Sequence, residues 1–127
     1  MKKANIGDVW LVLIPKVIRS NRTTHIELEK RPCLIIDDGH GFIIEENRDY
    51  LGLKITSKDG KTHKVINNWH DLGLNQESFV RIETPIKIEK GQLIHRIGKM
   101  NKYDLYVYLT ELSNYLKTDV INKIKTM

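Results

Sequence analysis

The sequence predicts a mostly β (α+β) fold, a small twisted sheet or open barrel that is packed by one carboxyl-terminal helix. Two observations predict it. Short apolar or alternating segments separated by turn residues fill the chain before Asn101, as is typical of strands. After Asn101 the apolar residues recur at the spacing of an amphipathic helix. With 127 residues, of which 40% are hydrophobic, the chain is expected to form a single domain over 1–127.

The first two predicted strands flank a charged segment. Residues 9–14 form an apolar run that follows Gly7-Asp8 and is closed by Pro15, which predicts the first strand. Residues 16–30 show no clear period, and we expect a long exposed loop there, which could be partly extended. Residues 32–36 are apolar throughout, so this second strand is expected to be buried on both faces. Its lone cysteine, Cys33, has no partner for an internal disulfide and suits a reducing compartment.

The later strands are predicted from alternating apolar and polar residues and from turn residues, and the helix is predicted from its capping residue. Asp59-Gly60 favours a tight turn that would join two alternating segments, 51–57 and 62–66, into a hairpin. Asn101 is a good N-cap for a helix of about four turns, followed by a basic tail or short second helix over 117–127. The other predicted strands cover residues 42–44, 78–83, 86–88 and 93–97.

The charge and the missing motifs narrow the possible functions. The formal net charge of +5 is compatible with an anionic partner without establishing one. No apolar segment is long enough for a secretory signal or a membrane span, so we expect a cytoplasmic protein without membrane contact. No cofactor motif is present, and turn composition explains the nearest approach to a metal site, Asp37, Asp38 and His40. We therefore expect no cofactor and no metal.

One acid–base candidate is the pair of Arg81 and Glu83. They are two residues apart on a predicted strand, so their side chains should stand on the same side of it. Together they could move a proton and bind a phosphate oxygen. The alternative is an exposed salt bridge of little energetic value.

Two further groups could hold a phosphate. Thr56 shares the polar face of its strand with Lys54, although an ordinary soluble hairpin would also place them there. Arg31 precedes Pro32, which favours an extended backbone and presents its donor fork at a strand end. His25, in the preceding loop, could act as acid or base near neutral pH or have no role.

The order of these segments resembles the MazF/PemK family of toxin ribonucleases. The matching motifs are GDVWLVLIP, KRPCLII, KITS and SFVRIETPI, followed by the amphipathic helix, and the match spans about residues 7–116. The segment GLNQESFVRIETPIKIEKGQLIHRIGKM is also similar to the closing third of the family. The resemblance implies an SH3-like small barrel with a carboxyl-terminal helix, a cytoplasmic homodimer and a cognate antitoxin partner. It also implies metal-independent cleavage of single-stranded RNA, including mRNA, in which the 2′-hydroxyl attacks the adjacent phosphate.

The resemblance further implies a role for each candidate residue. Arg31 would contact the scissile phosphate, with Thr56 beside it, and Arg81 would act as acid and transition-state stabiliser. Glu83 stands where the family has a proposed aspartate base, and His25 has the spacing of a functional histidine in the PemK branch. The expected RNA-binding residues are Ser57, Lys54, Lys58, Phe79, Arg19 and Arg22.

The loop before Arg31 departs from the family pattern. The family loop usually reads GxEQxGxRP, whereas here it is longer and charged, IPKVIRSNRTTHIELEKRP. Three alternatives to a ribonuclease therefore remain open. A CcdB-like gyrase poison on the same fold is the first alternative. A non-catalytic RNA- or protein-binding relative is the second, and a regulator without toxicity is the third.

Overall fold

The computed structural model describes residues 2–39 and 49–127. Seven strands form one antiparallel sheet in the order β4-β5-β3-β2-β1-β7, and β6 also pairs with β3. Within these residues β4 and β7 lie at opposite edges without pairing, so the sheet is open. The mostly β prediction is confirmed, whereas a closed barrel is not. The strands are β1 Asp8–Arg19, β2 Thr24–Asp37, β3 Tyr50–Thr56, β4 His63–Val65, β5 Phe79–Arg81, β6 Ile86–Ile88 and β7 Leu93–Lys99.

The carboxyl-terminal helix begins after Asn101, as the sequence predicts. The Asn101 side chain accepts a hydrogen bond from the backbone N–H of Asp104 at 2.8 Å, which confirms the predicted N-cap. Helix α1 (Lys102–Tyr115) continues through a π-helical stretch, Leu116–Ile121, into α2 (Asn122–Lys125). The 14 residues of α1 make about four turns, and α2 is a short second helix, so both predictions are confirmed. No helix among the described residues is long and apolar enough to cross a membrane.

Side chains alternate between two faces of the sheet, and each face has its own core. On the helix face, Val9, Leu34 and Ile55 belong to a cluster that includes Tyr108 of α1. On the opposite face, Trp10 and other side chains of β1 and β2 pack against Ala4, Tyr50 and Ile88. The strands at the centre of the sheet are therefore buried on both faces, as their apolar sequence predicts.

The buried carboxylate of Asp8 connects the segment before β1 to β1 and β7. Its carboxylate is 2% exposed and accepts hydrogen bonds from Asn5 N at 2.8 Å and Trp10 Nε1 at 3.2 Å. Arg96 Nε on β7 lies 3.2 Å from its other oxygen. Gly7 before it has φ +91°, a conformation that favours glycine. The Gly-Asp pair at the start of β1 is thus a structural anchor.

The predicted loop over residues 16–30 was wrong, because β1 and β2 form a regular antiparallel ribbon there. Their pairing runs without interruption from Val9 opposite Leu34 to Arg19 opposite Thr24. Pro15 does not end β1, since β7 pairs with β1 only as far as Val12 and proline is tolerated on an edge. We call residues 15–28 the ribbon. It extends beyond the packed sheet and is exposed on both faces over most of its length.

The predicted hairpin around Asp59-Gly60 was also wrong. β4 pairs with β5, and β5 pairs with β3, so the two predicted hairpin strands are separated by β5. In this arrangement Val80 of β5 is completely buried in the helix-face core. The predicted strands at 86–88 and 93–97 are confirmed as β6 and β7. The predicted strand at 42–44, like His40, lies outside the described residues.

Candidate functional site

A groove of about 270 Å³ lies where β2, β3 and the segment 73–78 meet. Its wall includes two of the predicted catalytic residues, Arg31 and Thr56, and the predicted RNA-binding residue Ser57. Its apolar lining comes from the helix-face side chains Leu11, Pro32, Ile55, Leu74 and Ile97.

The β2–β3 register places Arg31 and Thr56 on the same face of the sheet. Cys33 lies opposite Lys54. The pairing ends there, and two residues further along each strand Arg31 and Thr56 have the side-chain parity of Cys33 and Lys54, so both belong to the face opposite the helix. The Thr56 side chain is largely buried, and its hydroxyl oxygen accepts a hydrogen bond from the backbone N–H of Lys58 at 3.2 Å. The hydroxyl is therefore held in place in the wall of the groove that Arg31 also lines.

Two further cations, Lys54 and Arg81, lie on the same face of the sheet as this pair, the face opposite the helix. Thr56 pairs with Phe79, so the same register continued by two residues sets Lys54 opposite Arg81. Burial raises the pKa of the Cys33 thiol to about 12, while the positive charges of Lys54 and Arg31 act to lower it. Both charges therefore act on the same buried thiol. Among the described residues, no carboxylate lies within 4.0 Å of Lys54 or Arg81.

Of the cations Arg31, Lys54 and Arg81, which we call the cation cluster, Arg31 forms an ion pair among the described residues. Its Nε lies 3.7 Å from Glu29 Oε1, and both side chains are about one-third exposed, at 29% and 33%. At this distance the pair is loose and partly solvated, so it leaves the rest of the guanidinium fork available to an anion. The arrangement suits binding of a phosphate at the edge of the groove, on the side of the sheet opposite the helix.

His25 lies far from the groove within one chain. It is on β2, six residues before Arg31, which corresponds to about 20 Å along an extended strand. Its Nε2 lies 3.2 Å from Glu27 Oε1, and both side chains are mostly exposed. The prediction that His25 lies in a loop was wrong, because His25 belongs to β2 and lies on the ribbon.

Glu83 also lies outside the groove. It follows the end of β5 and lines a separate cavity of about 210 Å³ together with Lys61, Lys64 and Glu111. No ion pair joins Arg81 and Glu83 among the described residues, so the predicted pair does not form. The intervening Ile82 turns into the helix-face core, and the chain beyond it faces the helix instead of the groove.

The predicted RNA-binding residues fall into three places. Ser57 lines the groove, and Lys54 belongs to the cation cluster. Lys58 holds Thr56 through its backbone N–H. Phe79 is only 9% exposed, so its ring fills space in the sheet instead of offering a face to a base. Arg19 and Arg22 lie at the far end of the ribbon.

The groove also has polar residues that sequence reasoning did not single out. Lys30 contributes from β2, while Asn75, Gln76 and Ser78 contribute from the segment 73–78. Ser78 Oγ donates to the Gln76 carbonyl oxygen at 2.8 Å, which stiffens this segment. The signal for it was the run of polar residues after Gly73, whose φ of +83° reverses the chain.

The chemistry available at the site is anion binding by fixed donors. Among residues 2–39 and 49–127, no group of three or more His, Cys, Asp or Glu side chains is arranged to hold a metal ion. No protein-family model matches the chain, and no curated protein is significantly similar to it. A function for this chain therefore has to be argued from the groove and its cation cluster.

Proposed function

We propose that the chain is a MazF/PemK-like toxin, a metal-independent and sequence-selective endoribonuclease that cleaves single-stranded RNA. The observation that carries this proposal is the position of Arg31 and Thr56, which line one groove and sit on neighbouring strands. A guanidinium fork and a fixed hydroxyl are suitable donors for the oxygens of a phosphate. Lys54 and Arg81 add positive potential on the same face.

The proposed reaction is transesterification at one phosphate of the RNA. The 2′-hydroxyl oxygen attacks the phosphorus, the bond to the 5′-oxygen breaks, and a 2′,3′-cyclic phosphate and a 5′-hydroxyl end result. Negative charge grows on the phosphate oxygens in the transition state. Donors that are already in place, such as Arg31 and Thr56, stabilise that charge without having to reorganise.

Proton transfer needs an acid and a base, and the two predicted candidates, His25 and Glu83, do not line the groove of their own chain. The 2′-hydroxyl must lose a proton, and the 5′-oxygen must gain one. In the proposed homodimer, a second copy would have to supply His25 from its ribbon, or Glu83, to this groove. The SH3-like barrel, the cytoplasmic location and an antitoxin partner belong to the same proposal.

A second candidate function is RNA binding without cleavage. One observation favours it: the described residues that line the groove include Lys30, Arg31 and several hydroxyl and amide groups, but neither a carboxylate nor an imidazole. Such a lining would bind a phosphate and leave the bond intact. The same purified protein separates the two functions.

The test is incubation of a long mixed-sequence RNA with the purified protein in EDTA, with the new ends mapped. We expect discrete cuts that carry cyclic-phosphate and 5′-hydroxyl ends. The Arg31→Ala variant should cut at least about 100-fold more slowly, since one preorganised donor is worth about that much. Arg31→Lys keeps the charge and loses the fork, so we expect an intermediate rate. Lys117→Ala, on an exposed part of the helix, is the control and should cut at the parent rate.

Binding measurements decide what an uncleaved RNA means. Intact RNA that is still bound, with affinity lowered by Arg31→Ala and not by Lys117→Ala, would establish the second function. Intact RNA without binding by folded protein would overturn both. Equal cutting by the parent and Arg31→Ala would show that the groove is not the active site.

A further inference from the structure

The ribbon carries an unusually exposed apolar face. Val17, Ile26 and Leu28 are 54%, 68% and 64% exposed, and Pro15 beside them is exposed as well. Val17 lies opposite Ile26, and Pro15 lies opposite Leu28. Directly opposite residues share a face, so these four side chains form one contiguous surface, which we call the apolar ribbon face.

This surface continues the helix face of the sheet core. The same register sets Leu11 opposite Pro32 in the groove lining, then Leu13 opposite Lys30, and then the apolar ribbon face begins. The helix and the segment 73–78 cover the core as far as the groove. Beyond it, the same side of β1 and β2 stays apolar and is uncovered.

Charge is divided unevenly between the two faces of the ribbon. Glu27 and Glu29 lie on the opposite face, where they are close to His25 and Arg31. Lys30 and Arg19 lie on the apolar ribbon face, at its two ends. No carboxylate among the described residues lies within 4.0 Å of either cation. The surface is therefore apolar in the middle and positive at both ends.

We propose that the apolar ribbon face is a docking site for an acidic amphipathic helix of a partner protein. Two paired strands are about as wide as one helix, which is about 10 Å across with its side chains. From Leu13 to Arg19 the ribbon runs for about 20 Å, the length of nearly four helical turns. Leucine-like side chains would cover Val17, Ile26 and Leu28, and carboxylates would meet Lys30 and Arg19.

The charges and the area argue against two other occupants. A second copy of the ribbon would bring cations against cations. Four side chains also expose roughly 300 Å² of apolar surface, whereas a stable dimer buries about 800 Å² on each partner. Single-stranded RNA prefers aromatic platforms, and the apolar ribbon face is aliphatic. The proposal does not depend on ribonuclease activity.

The test uses titration calorimetry of the full chain with a synthetic amphipathic peptide of about four helical turns, built from leucine and glutamate. A peptide with lysine in place of glutamate is the charge control. We expect the glutamate peptide to bind at least about tenfold more tightly than the lysine peptide, with affinity that falls as salt rises. Ile26→Asp should weaken binding at least about tenfold, because it puts a charge in the centre of the contact.

Ile18→Asp is the matched control variant, since Ile18 lies on the other face of the same ribbon. It should bind the peptide as the parent does, and the circular dichroism spectra of both variants should match that of the parent. Equal loss in the two variants, or equal binding of both peptides, would overturn the proposal. So would displacement of the peptide by single-stranded RNA, which would assign the surface to nucleic acid. Absence of binding by the folded parent would overturn it as well.

Discussion

The two ends of the β1–β2 pair share one register and differ in almost everything else. From Val9 to Ile14, β1 is covered on both faces, and its partner residues Cys33 and Leu34 are fully buried. From Pro15 onward the same two strands continue as the ribbon, with both faces largely open to solvent. Backbone pairing is therefore the same along the whole length, and burial is not.

The difference separates what holds each end in place. The covered end is stabilised by apolar surface removed from water on two faces, and each fully buried aliphatic side chain contributes about 1.5–3 kcal/mol. The ribbon has backbone hydrogen bonds and cross-strand contacts, and an isolated two-stranded ribbon is marginal in water. We therefore expect the ribbon to open locally much more often than the sheet it extends from.

The largest expected contrast compares one side chain from each end. Leu34→Ala removes a fully buried side chain from the helix-face core and should lower the free energy of unfolding by about 3 kcal/mol. Ile26→Ala, at a mostly exposed site on the ribbon, should cost less than about 1 kcal/mol. Urea denaturation of both variants measures the two values. Similar losses would mean that the ribbon is packed as firmly as the core.

A smaller contrast compares a buried carboxylate with an exposed one. Asp8→Ala leaves the Asn5 N–H, the Trp10 indole N–H and Arg96 without their acceptor, so we expect a loss of about 2 kcal/mol. Glu27→Ala removes the exposed partner of His25 and should cost at most about 0.5 kcal/mol. Urea denaturation of both variants measures the two losses in the free energy of unfolding. A loss for Glu27→Ala as large as that for Asp8→Ala would contradict the contrast.

The covered end should also respond to alkaline pH. Burial raises the folded-state pKa of Cys33 to about 12, so the folded protein keeps a proton that the unfolded chain loses. This contribution to stability is fully present below the unfolded pKa of about 8.5 and is lost as pH rises from there towards the folded value. Between about pH 8 and about pH 10, we expect the free energy of unfolding to fall by about 1–2 kcal/mol from this group.

Cys33→Ala tests the origin of that pH dependence. The variant loses packing, so the informative quantity is the slope of its unfolding free energy against pH, which should be flatter than in the parent. Burial and Asp104 raise the pKa of Tyr108 to about 12 as well, and its contribution has the same sign at higher pH. An unchanged slope in Cys33→Ala would show that the thiol is not the responsible group.

The sequence allowed the covered elements to be predicted because burial leaves a pattern. The apolar runs around Val9 and Cys33 and the N-cap at Asn101 were all readable. The ribbon was not readable. Both of its faces are largely exposed, so apolar and polar residues such as Val17, Ile18 and Glu27 do not alternate as they do in a half-buried strand. Long-range pairing was equally hidden. Nothing local indicates that β5 inserts between β3 and β4, and the Asp-Gly signal pointed to the wrong neighbour.

The candidate site was predictable in part for the same reason. Arg31 and Thr56 stand next to apolar strands, so their strand positions followed from the pattern, and the register then placed them on the same face. His25 and Glu83 were placed by spacing along the chain. Spacing does not say whether the chain between two residues is extended or folded back. For His25 the chain is extended, and the two predicted partners are about 20 Å apart.

The smallest expected effect concerns the turn at the end of the ribbon. Ser20 and Thr23 exchange two backbone hydrogen bonds, at 3.0 and 3.3 Å, around the two-residue loop Asn21-Arg22. No described residue other than glycine has a positive φ, so this loop does not adopt the type I′ turn that best fits the twist of a hairpin. Arg22→Gly gives the Asn-Gly sequence that favours type I′. We expect a gain of about 0.5 kcal/mol in local ribbon stability, limited by the added flexibility of glycine in the unfolded chain.

Hydrogen exchange resolves this effect, because it reports each backbone amide separately. In Arg22→Gly the amides of Ile18 and His25, the next hydrogen-bonded pair after Ser20 and Thr23, should exchange about twofold more slowly, since about 0.4 kcal/mol is a factor of two in an opening equilibrium. The amides of Val9 and Leu34 should be unchanged, because opening there requires loss of the packed sheet. Slower exchange at both ends would mean that the ribbon and the sheet open together as one unit. Since a turn substitution acts first on the strands next to it, such a result would replace the two-region description with a single cooperative hairpin.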